Sequence, residues 1–180
     1  MSDLGLVALT SGVLLLVGGG GLALWPRGAA ALVKAFPRHV WSGRILAAAD
    51  LIWAAWLVLQ MGSAWVDAHR ALVYVAMPVF YVLIIILMDD LLAARALGGL
   101  LLLVPLPILE SAFVHPAASR LLMTTFAYML VVLGLVLVWS PFKLRQWTER
   151  WINRASIAGA AGAAGILLGA LMLFLAWMVY

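Results

Sequence analysis

Apolar positions in this chain run in long blocks, separated by short segments that hold nearly all the charge. Six blocks, at about 4–25, 44–62, 71–88, 96–114, 121–139 and 157–179, have the length a helix needs to cross roughly 30 Å of hydrocarbon. Together they take up most of the 180 residues and leave no room for a soluble domain. The pattern predicts an all-α, polytopic membrane protein, folded as one transmembrane domain over residues 1–180.

Two of the connecting segments have a pattern of their own. In "SPFKLRQWTERWINRAS" (140–156), Leu144, Trp147 and Trp151 recur at three- and four-residue steps, while Lys143, Gln146, Arg150 and Arg154 take another face. This is the signature of a helix lying in the membrane interface, its apolar face in the acyl boundary and its basic face toward lipid phosphates. The predicted lipid-interface residues are Trp147, Trp151, Lys143, Arg145, Arg150 and Arg154. "PRGAAALVKAFPRHVWSG" (26–43) does the same through Leu32, Val33 and Phe36, with Pro37 as its stop.

Charge fixes the expected orientation. Arg27, Lys34, Arg38 and Arg44 follow the first span, Arg95 lies between the third and fourth, and Lys143, Arg145, Arg150 and Arg154 follow the fifth. The other connections hold Arg70 and Arg120, so alternate loops carry nine basic residues against two. Short Lys/Arg-rich loops stay in the cytoplasm. Both termini are therefore expected outside, with two amphipathic helices on the cytoplasmic face. Trp25, Trp41, Trp139, Trp147 and Trp151 would form the inner aromatic belt, and Trp65 and Trp177 the outer one.

Composition agrees. Mean hydropathy is +1.17 and 10% of residues are charged, against about 25% in soluble domains. With no cysteine in the chain, disulfides, thiolate metal sites and cysteine nucleophiles are excluded. The net charge of +4 flanks apolar spans, so the expected counter-charge is anionic lipid headgroups and not nucleic acid. The start, "MSDLG", is acidic, whereas a secretory signal peptide begins with a basic region; the first span is expected to be retained.

The stretches around residues 11–60 and 130–180 follow one plan: an apolar helix ending in Trp, a Pro within two residues, a basic amphipathic stretch, and a small-residue-rich helix. They read either as parallel repeats flanking a central region, 70–125, or as the shared grammar of membrane hairpins. The hairpin at about 131–180 resembles the small bacterial inner-membrane proteins of the YjeT type, which have no established function. The whole chain looks like an uncharacterised multi-pass bacterial inner-membrane protein. The resemblance implies residence in the bacterial inner (plasma) membrane and carries over no catalytic residue.

Few residues carry candidate chemistry. "DDLLAAR" (89–95) resembles the motif of CDP-alcohol phosphotransferases, D-G-x-x-A-R with further aspartates downstream, in which paired aspartates hold divalent metals that polarise a diphosphate. Asp90, Ala94 and Arg95 keep that spacing, but Leu91 stands at the glycine position and only Glu110 and Glu149 follow as acids. One Asp pair cannot build a two-metal cage. Asp89 and Asp90 read better as a hydrated helix-cap corner, with Asp90 capping the fourth span. Asp50, about 9 Å into its span at 1.5 Å per residue, should be paired, protonated or facing water. Arg95 is the expected ion-pair partner.

Glu110 follows "PLP" (105–107), where two prolines should bend the fourth span and leave Glu110 facing outer-surface water, Arg120 or a helix-end donor. His39, His69 and His115 fall in loops or at span ends, which argues against a haem or buried His metal site. The methionines read as gap-filling core or lipid-facing side chains; Trp53 and Trp56 read as ordinary packing, with contact to a pigment or quinone the alternative. Gly18, Gly19, Gly20 and Gly21 form a run in the first span, and Ala161, Gly165 and Gly169 recur every four residues in the sixth. Such stripes allow close helix approach; the first span is the expected partner of the sixth, a subunit interface the alternative.

The best reading is a non-catalytic membrane subunit or scaffold that packs with itself or with other membrane proteins. A small transporter or channel using Asp50 and Glu110 is the alternative, and a lipid-handling membrane enzyme a third. No cofactor is expected; a bound lipid is compatible with all three.

Overall fold

The structure, a computed structural model, describes residues 3–36, 39–88, 91–147 and 155–180. Those residues form helices joined by short turns, with no strand among them. Six helical spans are long and apolar enough to cross a membrane.

The first span is α1 (Asp3–Leu24), followed by the short α2 (Pro26–Ala35). The second is α3 (Val40–Gln60). It ends at Gly62, whose φ of +62° is the left-handed conformation that terminates helices at least cost in glycine. A small helix that the hydrophobic pattern did not predict, α4 (Ala64–Ala68), precedes the third span, α5 (Arg70–Leu87). Arg70 locks this corner by bonding Asp67 at 2.7 Å, and His69 stacks on Trp65 at 4.9 Å.

The fourth span divides into α6 (Leu92–Leu103) and α7 (Pro105–Val114). Neither Pro105 nor Pro107 has an N–H to donate to the preceding turn. The interruption has a purpose in packing: α6 lies against α3 and α8, whereas α7 lies against α8 and α1. The fifth span is α8 (Arg120–Trp139), and α9 (Phe142–Trp147) leads toward α10 (Ala155–Met178), the sixth.

α1 packs most extensively against α10, α3 against α6 and α5, and α6 against α8. Residues 12 and 19 of α1 face 169 and 162 of α10, so this pair is antiparallel. Gly43 lies against Ala93, and Asp50 against Gly99, making α3 and α6 parallel; Gly98 meets Gly134, with α8 running the other way. At one end Leu4, Ala8, Ile108, Ala112, Met123, Ala127, Met172 and Ala176 close a single core. The segments after the first, third and fifth spans therefore share the opposite end. α2, which carries Lys34, and α9, which carries Arg145, border one groove there.

Asp89 and Asp90 lie outside the described residues. The α6 N-cap position is Leu91, not Asp90, and no side-chain cap is formed. Leu91 has φ +62°, a left-handed conformation that costs a side-chain-bearing residue roughly 1–2 kcal/mol. Trp151, Arg150 and Arg154 also lie outside the described residues, so α9 is described only over the first part of the amphipathic stretch.

Candidate functional site

Three places bring the singled-out residues together: the α1–α10 seam, a cavity at Asp50, and a cavity at the end where the termini lie.

In the seam, buried positions on α10 step by threes, fours and sevens through Ala158, Gly162, Gly169, Met172 and Ala176. On α1, Leu4, Ala8, Gly12 and Gly19 do the same. This is knob-and-hole spacing, with glycine where the backbones touch. A Cβ on Gly19 would lie 2.7 Å from the Gly162 carbonyl oxygen, and one on Gly169 would lie 2.7 Å from that of Gly12. The expected partner of the sixth span is found, with a shift of register. Gly162 makes the contact expected of Ala161, while Ala161 is exposed. Gly165 and Gly169 take part as expected. Of the Gly18–Gly21 run only Gly19 does, since Cβ atoms on Gly18, Gly20 or Gly21 would meet nothing within 4 Å. A helix shows one face per 3.6 residues, so a four-glycine run can put only one or two members on a given seam.

The Asp50 cavity, about 350 Å³, lies between α3, α5 and α6, with Ala47, Ala54, Ile84, Leu92, Gly99 and Leu102 among its walls. Asp50 and Arg95 both line it. No direct ion pair within 4 Å joins them, and Asp50 Oδ1 is buried without a hydrogen-bond partner among the described residues. The pairing expected from sequence is therefore a shared cavity and not a contact. The reason is local: the carboxylate occupies the space a side chain at Gly99 would need, with Oδ2 2.8 Å from where a Cβ would stand. Gly99 lies a full turn beyond Arg95 along α6. Nothing in the sequence pattern alone marked Gly99 as part of this site.

The third cavity, about 460 Å³, is bordered by Asp3, Glu110, Ser111 and His115. Arg120 does not pair with Glu110; it donates to the carbonyls of Phe113 and His115 at 3.3 and 3.0 Å. It thereby caps the end of α7, whose last carbonyls lack helical partners. Glu110 is exposed. Asp50 and Glu110 line separate cavities.

Comparison with family models, curated proteins and solved structures finds no match to this chain.

Trp147 and Lys143 are on α9, Trp147 half-buried and Lys143 exposed. Trp25, Trp41 and Trp139 are exposed at the same end, and Trp65 and Trp177 at the other. At its two ends the molecule exposes aromatic side chains.

Proposed function

We propose that this protein is a non-catalytic integral membrane subunit that assembles with itself or with other membrane helices along its α5 edge. The observation that carries the reading is that α5 buries no residue at all. Among the spanning helices its main neighbour is α3. A hydrogen bond from Tyr81 Oη to the Arg44 carbonyl at 3.3 Å fastens α5 to α3. Helices gain nothing by hiding apolar surface from lipid and associate through packing and polar contacts. An edge span with so little of either is held better when a further helix packs on its outer face. Leu72, Val75, Val79, Leu83 and Ile86 make up much of that face.

By the positive-inside rule the end with α2 and α9 is cytoplasmic and both termini are outside. The bacterial inner membrane is the assigned location, with α2 and α9 as interfacial helices.

Because the chain has no cysteine, single cysteines can be introduced without background. In native membranes Val79→Cys or Ile86→Cys should cross-link efficiently, and Leu167→Cys, exposed on α10, should not. Equal, collisional cross-linking at all three positions, with a monomer in nanodiscs, would refute the assignment.

A second reading, a proton or cation relay, is favoured by one observation: the unpartnered Oδ1 of Asp50 facing a cavity. Its test is ion flux into proteoliposomes, which Asp50→Asn would abolish. The lipid-enzyme reading rests on Asp89 and Asp90, outside the described residues, and gains no support.

A further inference from the structure

α3 begins at Val40, earlier than the apolar block that predicted it, so Asp50 stands ten residues from each end of the helix. At 1.5 Å per residue that is about 15 Å from either end. A carboxyl group at such depth calls for a partner, because hydrocarbon offers it none. The chain does not supply one: Oδ1 is buried and accepts no hydrogen bond from any described residue. What Asp50 borders instead is a cavity of about 350 Å³. Rotation about its Cβ–Cγ bond exchanges the two oxygens, so either can be turned toward that space.

α5 and α6 both pack on α3 and have little contact with one another. The side of the cavity between them is therefore closed by neither helix, and in a bundle whose spans cross a bilayer that side meets lipid. Gly99 holds the α6 wall back from the carboxyl group, since a Cβ there would stand 2.8 Å from Oδ2. Arg95, also in the wall, is one turn away on the same face of α6. The rest of the lining is aliphatic side chains, methionine and glycine.

These two polar residues set the chemistry of an occupant. An ionised carboxylate only accepts hydrogen bonds, a protonated one also donates, and a guanidinium only donates. A hydroxyl group both donates and accepts, so it suits Asp50 in either state. An ammonium suits only the ionised state and would share the cavity with Arg95; an anion would share it with Asp50. The complement is an uncharged molecule with a hydroxyl for Asp50, a second oxygen for Arg95 and an apolar body. The volume lies at the small end of ligand sites, roughly 300–1,000 Å³. It has room for one ring or the polar end of a glyceride, with longer chains leaving through the open side.

We propose that the cavity between α3, α5 and α6 takes up from the bilayer an uncharged, lipid-soluble hydroxyl compound, its hydroxyl hydrogen-bonded to Asp50 and its second oxygen toward Arg95. A quinol and a diacylglycerol both carry this chemistry. The site does not rest on the assembly reading, since α5 contributes Ile84 to it and none of the residues named for the outer face.

The test is protection of Asp50 from dicyclohexylcarbodiimide, an apolar reagent that adds to carboxyl groups reached from lipid, on the full chain in phosphatidylcholine nanodiscs. Peptide mass spectrometry should find the adduct on Asp50. Decylubiquinol, kept reduced, or dioleoylglycerol should slow its formation, and whichever of the two protects identifies the source. The protecting compound should act at a concentration about fivefold or more below that of its hydroxyl-free counterpart, the quinol dimethyl ether or trioleoylglycerol, fivefold being the worth of one hydrogen bond. It should also raise the melting temperature of the wild type and leave that of Asp50→Leu unchanged. Absence of the adduct would mean that lipid does not reach Asp50. Undiminished labelling with both compounds would mean that water alone satisfies the acid, and equal protection by the hydroxyl-free counterparts would remove the hydrogen bond. Each of these overturns the proposal and leaves cross-linking along α5 as a separate question.

Discussion

Substituting Gly19 with alanine tests how the first and last spans are held together. The new Cβ would stand 2.7 Å from the Gly162 carbonyl oxygen and 2.9 Å from the Ile166 nitrogen. Both are backbone atoms, so no rotamer change can relieve the clash. Restoring ordinary contact, which begins at 3.4 Å, requires the helices to part by about 0.7 Å locally. A gap of roughly 0.5–1 Å forfeits a quarter to a half of the dispersion energy of the atoms facing it. Overpacking of this kind costs about 1–3 kcal/mol, while alanine returns about 1 kcal/mol of helix propensity. The net expectation is a loss of up to about 2 kcal/mol. For a chain of this size that lowers the melting temperature by up to roughly 8 °C, at about 2–4 °C per kcal/mol.

The measurement is thermal unfolding in one mild detergent, with Gly18→Ala and Gly20→Ala as internal controls. Those Cβ atoms would meet nothing, so the controls should melt at or above the wild-type temperature. Gly19→Ala/Gly162→Ala should cost less than the two single changes added together, because one separation relieves both clashes. If Gly18→Ala destabilised as much as Gly19→Ala, the register of the seam would be wrong.

Other outcomes follow from single residues. Asp50→Leu should raise the melting temperature, since it removes a buried oxygen without a partner, a group that costs about 1–3 kcal/mol; destabilisation would mean the carboxylate is satisfied. Gly99→Val should destabilise in the wild type and much less in an Asp50→Ala background, as read from a double-mutant cycle of melting temperatures. Leu91→Asn, which suits a left-handed backbone, should be tolerated, whereas Leu91→Val should cost on the order of 1–2 kcal/mol in the same assay. Single cysteines replacing Ser140 and the exposed Ala118 should react with a membrane-impermeant thiol reagent from opposite sides of sealed vesicles, and labelling from the same side would break the alternation of spans.

The spans were legible because crossing a bilayer demands a length of apolar chain that few other structures need. Their alternation was legible because lysines and arginines gather at one end. What sequence could not supply was rotation about each helix axis. Apolar residues surround these helices, so the pattern has no stripe to say that Gly162 faces α1 and Ala161 does not. The same ambiguity hid the partner of Asp50: Arg95 and Gly99 are both on α6, and only the facing of α3 and α6 puts Gly99 against the carboxylate. α4 escaped notice because a five-residue helix held by Arg70–Asp67 has no periodicity to read. The break at Val104 was foreseeable from Pro105 and Pro107, but its use, moving the fourth span from α3 to α1, was not.

Small residues serve three different ends in this bundle, and the distinction bears on function more than their number does. At Gly12, Gly19, Gly162 and Gly169 the missing side chain lets backbones touch, which is how helices associate where lipid is as apolar as protein. Each of these glycines meets another chain segment's backbone. At Gly99 the missing side chain makes room for a carboxylate that the surrounding wall leaves partly unsatisfied. Packing alone would not select that arrangement, because an apolar residue at position 50 would let position 99 carry a side chain as well. At Gly18 and Gly21 the missing side chain makes room for nothing the chain supplies. The first kind holds the α1–α10 seam together; the other two leave space that the packing does not use, one beside the Asp50 carboxylate and one between α1 and α10.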